Sequence, residues 1–229
     1  MSDRLRTRFW LEAALFAAAA ILLLAWVQAP APGLYGYDGP FHIRYAERLR
    51  FDLAEDGSFS PAFPWWQETF LRDAWADKDL LYHLLLIPFS FGDLAAGGKL
   101  ASILFGAGLF TSILVALGWL RVRRAVLWAA IALIGSTSLL YRAGLLRSHV
   151  LAISLAVLGA AAILNDRRIA TATLAFLYAL SHIGWHLLPG IALIHDLIRC
   201  VVRRKWSVKG TVAATGGTLA AIFLSPYFP

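Results

Sequence analysis

The chain has 229 residues, of which 59% are hydrophobic and only 15% charged, and its mean hydropathy is +0.66. Soluble domains are nearer about 45–50% apolar and about 25% charged, so this composition argues against an ordinary water-soluble fold. The net charge of +7 would suit nucleic acid, but the basic residues stand in short clusters between apolar blocks, as membrane proteins arrange them, and nucleic acid is not an expected partner.

The first apolar block, 9–27, follows Arg4, Arg6 and Arg8. Those arginines place the N-terminus in the cytoplasm. No small-residue cleavage site follows it, so it reads as a retained anchor. A polar stretch, 29–79, forms a large first outer loop. The next apolar run, 80–91, is too short to cross roughly 30 Å of hydrocarbon and reads as an interfacial or re-entrant helix. Charge parity supports that choice: it leaves Arg121, Arg123 and Arg124 on the cytoplasmic side after the span 100–120. Further spans are predicted over 125–141, 150–164, 169–181, 185–198 and 211–224. The clusters Asp166-Arg167-Arg168 and Arg199, Arg203, Arg204, Lys205 and Lys209 then also fall inside. The expected fold is therefore all-α and polytopic, a single module over 1–229 with about seven transmembrane helices. The chain stops just after the last span, which reads as a fragment of a longer protein. The lone Cys200 has no internal disulfide partner.

The first loop carries the most informative residues. Pro40 suits the first turn of a helix, with Gly39 as its cap. Tyr45, Ala46, Leu49 and Leu53 then share one face, which describes an amphipathic surface helix ending near Asp56-Gly57. Asp38 stands where the positive end of that helix favours a carboxylate. It reads either as a base or cation ligand at the rim of a membrane cavity, or as no more than part of a helix cap or turn. Trp65, Trp66 and Trp75 suit a membrane interface, and tryptophans also stack on sugar rings.

Later residues carry weaker signals. His182 and His186 are four apart, a spacing that on a helix puts two imidazoles on one face, so they read as metal ligands or as polar contacts. Arg142 and Arg147 can grip phosphate in bidentate fashion or contact lipid head groups. Gly97-Gly98 and Gly216-Gly217 suit close helix packing.

The stretch Tyr37-Asp38-Gly39-Pro40-Phe41-His42-Ile43-Arg44-Tyr45-Ala46-Glu47 resembles the first-loop motif of the GT-C membrane glycosyltransferases, which include oligosaccharyltransferase catalytic subunits, protein O-mannosyltransferases and lipid A aminoarabinose transferases. Asp79-Leu80-Leu81-Tyr82-His83-Leu84-Leu85-Leu86-Ile87-Pro88 is similar to the segment that closes that family's first loop. Tyr141-Arg142-Ala143-Gly144-Leu145-Leu146-Arg147 looks like its second outer loop. The order of parts matches from residue 1 to about 195.

The resemblance implies sugar transfer from a polyprenyl-phosphate donor to an unknown acceptor at the non-cytoplasmic face; the absence of N-glycosylation sequons and the simple basic loops fit a bacterial inner membrane. It implies Asp38 as catalytic base or positioning ligand, and His42, Arg44, Glu47, Arg142, Arg147, His149 and His182 as substrate-binding residues. No cofactor is certain; a divalent metal ion is possible, as are contacts with membrane lipid and with a partner subunit. Two features depart from the family pattern. Its second outer loop often holds a second acidic residue, where this chain has Arg147, Ser148 and His149. Its paired prolines are here Asp77-Lys78-Asp79. A non-catalytic subunit or lipid-binding scaffold of the same fold is the alternative reading.

Overall fold

The computed structural model describes residues 3–59, 65, 68–69, 72–73, 75–204 and 206–228, with side chains from residue 7 onward. Trp66 and its neighbours Gln67, Phe70, Leu71 and Ala74, Lys205 of the last basic cluster, and the side chains of Arg4 and Arg6 lie outside the described residues. Within them the protein is all-helical: α1 (Asp3–Gln28), α2 (Gly39–Glu55), α3 (Leu80–Leu86), α4 (Leu94–Trp119), α5 (Ala125–Ile134), α6 (Thr137–Ala143), α7 (Ser148–Leu164), α8 (Arg168–Ser181), α9 (Leu187–Arg203) and α10 (Lys209–Leu224). A 3-10 turn over Ile87–Phe89 extends α3.

Two helices are long and apolar enough to cross a membrane, Thr7–Gln28 and Leu94–Trp119. The expected straight span over 125–141 is instead two helices bent by 87°. The bend falls at Gly135-Ser136-Thr137. Glycine and hydroxyl residues disfavour a helix interior, and the Ser136 hydroxyl accepts from the Leu139 N–H at 3.2 Å, restarting the chain as α6. If the bent pair counts as one crossing, three helices or pairs suit a span. At 17 residues α7 reaches only about 25 Å, short of the hydrocarbon thickness. Large apolar side chains face outward along α1 (Leu15, Leu22, Trp26), α5 (Trp128, Ile131, Ile134) and α9 (Ile194, Ile198, Val201, Val202). So much exposed apolar surface suits lipid rather than water.

α4 is the central strut, packed on α1 and α7, while α8 packs on α7 and α10. One core joins Phe16, Ala20 and Leu24 of α1 to Phe110 and Leu114 of α4; a second joins Leu155 and Ile163 of α7 to Tyr178, Leu188 and Ala214. Within lipid, such contacts rest on close packing rather than on expulsion of water. Gly217 serves this end, since a Cβ there would overlap the Ala172 carbonyl of α8, and Gly97 lies equally close to the Phe89 carbonyl. Gly216 has open space around it and performs no such role.

The first-loop helix α2 forms as its sequence directs, with Pro40 in its first turn and Asp56 as its C-cap. Its N-cap is Asp38 rather than Gly39. Its apolar face covers α3 and α4, where Ile43 and Ala46 meet Tyr82, Leu86 and Ala101. α3 is accordingly a short buried helix beneath α2, with Tyr82 and Leu86 fully covered. The end of α1 is tied to the same region. Buried Gln28 donates to the Ser102 hydroxyl of α4 at 3.0 Å and to the Gly144 carbonyl at 3.3 Å. That bridge fixes the turn between α6 and α7, which carries Arg147.

Candidate functional site

Four parts of the chain converge on a cavity of about 470 Å³. α2 and its cap contribute Asp38, Phe41 and His42. The connection into α3 contributes Trp75, Lys78 and Asp79. The start of α7 contributes Arg147, Ser148 and His149, and the end of α8 contributes His182. A neighbouring cavity of about 580 Å³ is lined by Gly36, Tyr37, Ser138, Tyr141, Arg142 and Leu145. Asp38 and Arg147 line both cavities and form an ion pair with each other.

Asp38 occupies the N-cap of α2 but makes no side-chain cap hydrogen bond. An N-cap aspartate normally satisfies a first-turn N–H, a contact worth about 1 kcal/mol. Here the carboxylate turns to the Arg147 guanidinium instead, and it is roughly half exposed, at 43%. Its side chain therefore serves the ion pair rather than the cap. His42 lies one turn further along α2, its N–H bonded to the Asp38 carbonyl at 3.0 Å. Burial, first of all, pushes the His42 imidazole down to about 3, with help from electrostatic repulsion by the nearby His83, Arg147, Lys78 and His149 side chains. It is the neutral form that faces the cavity.

The second carboxylate of the cavity comes from Asp79, not from the second outer loop. Burial raises its pKa, opposed by a hydrogen bond from Ser148 and by His83. Two imidazole nitrogens in this wall, His149 Nε2 and His182 Nδ1, are buried without a hydrogen-bond partner among the described residues. His182 Nδ1 stands 4.0 Å from Asp79 Oδ1. Unsatisfied buried donors or acceptors are costly, and in a cavity wall they mark places where a polar ligand would be bound.

Of the residues expected from sequence, Asp38, His42, Arg147, His149 and His182 share the first cavity, and Arg142 lines the second. Arg44 and Glu47 line neither; they pair with each other at 3.1 Å on another face of α2. The helical reading of His182 and His186 is overturned. His182 ends α8 in an extended conformation and His186 caps α9, so a turn separates them and they do not share a helix face. Among the described residues no group of three His, Cys, Asp or Glu side chains is placed to hold a metal ion.

Sequence reading missed Asp77, Asp79 and the burial of His83. Asp77 Oδ2 and His83 Nδ1 are 2.7 Å apart, and both side chains are 1% exposed. His83 Nε2 is in turn 2.9 Å from His42 Nδ1. The available signal was charge in the wrong place: two aspartates lead directly into an apolar helix that itself carries a histidine. Tyr45 and Trp75 brace this region, with the indole N–H donating to the phenol oxygen at 2.9 Å. Compared with protein-family models, curated proteins and solved structures, the chain matches none.

Proposed function

We propose that the protein is a membrane glycosyltransferase of the GT-C type, moving a sugar from a polyprenyl-phosphate donor to an acceptor at the non-cytoplasmic face. The observation that carries this reading is the Asp38–Arg147 pair at the boundary of two cavities. An aspartate that had only to cap α2 would not face both.

In this reading the donor phosphate sits in the larger cavity, between Arg142 and Arg147. As the anomeric bond breaks, charge grows on the phosphate, and guanidinium donors hold it more strongly in the transition state than in the ground state. Arg147 then exchanges Asp38 for phosphate. The released carboxylate turns to the acceptor hydroxyl, as base or positioning ligand. The acceptor occupies the imidazole-lined cavity, where His149 and His182 supply polar contacts.

The accompanying topology has seven crossings: α1, α4, the bent pair α5–α6, α7, α8, α9 and α10, with α2 and α3 in the first outer loop. The N-terminus is cytoplasmic and the membrane is a bacterial inner membrane. The basic turns after α4, α7 and α9 support this orientation.

The test is transfer by purified protein in lipid nanodiscs, with a panel of radiolabelled polyprenyl-phosphate sugars. Wild-type transfer that falls at least about a hundredfold in Asp38→Asn is the expected result. Folded, monodisperse protein that transfers from no donor would favour a non-catalytic subunit or scaffold of the same fold.

A further inference from the structure

The buried groups behind the cavity form a chain with a definite direction. Asp77 Oδ1 accepts from the Asp79 N–H at 3.0 Å, which leaves Oδ2 to His83 Nδ1 at 2.7 Å. A carboxylate only accepts, so His83 Nδ1 carries the proton. In neutral His83 the other nitrogen, Nε2, is then a bare acceptor. Its partner 2.9 Å away, His42 Nδ1, must be the donor. His42 Nε2 is left with its lone pair, on the residue that lines the cavity. Each tautomer is set by the bond behind it, starting from one buried carboxylate.

We infer that Asp77, His83 and His42 form a proton relay, in which His42 Nε2 takes the proton from a hydroxyl-bearing acceptor in the cavity. The inference rests on the glycosyl-transfer reading for its substrate, and it makes His42 rather than Asp38 the proton acceptor. The acceptor oxygen forms a bond to the anomeric carbon. The bond from that carbon to the phosphate oxygen breaks, and its electron pair leaves with the phosphate. The hydroxyl proton passes to His42 Nε2 while the Nδ1 proton of His42 passes to His83 Nε2. His83 becomes an imidazolium against the Asp77 carboxylate. His42 cannot keep the proton itself, because burial first of all, and the charges of Arg147 and Lys78 beside it, disfavour its charged form. His83 receives it with the Asp77 side chain 2.7 Å from its Nδ1. His42 is thus a catalytic residue, and Asp77 and His83 position it and hold its proton. Asp38 is the carboxylate that orients the acceptor.

Asp77→Asn tests this with little change of shape. The amide oxygen keeps the Asp79 N–H, so the amide nitrogen faces His83 Nδ1 and donates to it. Every tautomer then reverses, and His42 Nε2 becomes a donor. The same logic accounts for the damage done by a carboxylate-to-amide change behind the histidine of serine proteases. The chain has only six histidines, so ¹⁵N spectra of histidine-labelled protein in lipid can be resolved residue by residue. His42 is expected to show a bare Nε2 in the wild type and a protonated Nε2 in Asp77→Asn. Transfer is expected to fall at least about a hundredfold in both Asp77→Asn and His42→Gln. A wild-type His42 already protonated at Nε2 would overturn the relay, as would wild-type transfer rates in His42→Gln. The spectra do not depend on transfer. A reversal of tautomers without transfer from any donor would therefore leave the relay standing and reject the glycosyl-transfer reading alone.

Discussion

Asp38 and Asp196 both stand beside helix starts, at different ends of the bundle, and the fold uses them differently. Asp196 reaches from α9 to the first turn of α10 and accepts from the Thr211 N–H and hydroxyl, each at 2.9 Å. It is buried, and its Oδ2 serves as a cap. Around it lie turns whose charges pair or solvate, as where Arg199 meets Asp166. Asp38 holds a cap position and leaves the cap unmade. Around it two cavities, two carboxylates and three imidazoles gather. The difference separates a carboxylate that closes a helix end from one that faces cavities, and burial does not, because the more buried of the two is the one that closes the helix end.

The strongest way to break this comparison is to neutralise each aspartate in turn. Asp38→Asn should abolish transfer, by at least about a hundredfold or about 2.7 kcal/mol of barrier, and leave the melting temperature in lipid close to that of the wild type. A fall in melting temperature as large as the fall in activity would make Asp38 a structural residue after all.

Asp196→Ala should do the reverse. Loss of a cap costs about 1 kcal/mol, which for a chain of this size lowers the melting temperature by about 2–4 °C. Transfer per folded molecule should not change. Thermal melts and transfer rates measured on the same preparation decide it, and a specific loss of activity would sink the assignment.

How much of this was legible beforehand varied with the reach of the interaction. The starts and ends of α7, α8 and α10, and the end of α1, follow from apolar blocks bounded by prolines and charges, a local signal, whereas α1 begins at Asp3, before its apolar block. α4 starts at Leu94, earlier than its apolar core suggests, because the Asp93 carboxylate accepts from the N–H groups of Ala95 and Ala96. The bend after Ile134 was hidden because the apolar residues on either side of Gly135-Ser136-Thr137-Ser138 together still suit a span, while backbone competition by Ser136 decides the geometry. Asp38 could be singled out from its place at a helix start, Arg147 from its guanidinium in a turn between apolar blocks, and His42 only from the first-loop resemblance. The Asp77–His83–His42 chain could not. Six residues is no helical repeat, and 41 residues separate the two imidazoles. Only tertiary packing joins them.

Asp79 sharpens the comparison from another side, since burial favours its neutral acid. A carboxyl whose folded pKa is raised contributes stability that is full below its unfolded pKa of about 4 and is lost as pH rises through the folded value. Asp79→Asn should therefore raise the melting temperature at neutral pH, with the gain shrinking as pH falls toward about 4. A melt series across that window checks the sign. A gain that persists unchanged at low pH would assign the effect to packing instead.

The smallest effect is expected at Arg44, and its smallness is informative. The first-loop motif gives Arg44 and Glu47 the same standing as His42, but the helical period of α2 does not. His42 lies one turn past Asp38 and shares its side of the helix, whereas Arg44 is rotated away and pairs with Glu47 at 62% exposure. An exposed pair of this kind is worth less than about 1 kcal/mol. Arg44→Ala should leave both transfer and melting temperature within error, while His42→Gln one half-turn away removes activity. A large loss of transfer in Arg44→Ala would mean that the acceptor extends over the outer face of α2, and that the two cavities hold only part of the substrate.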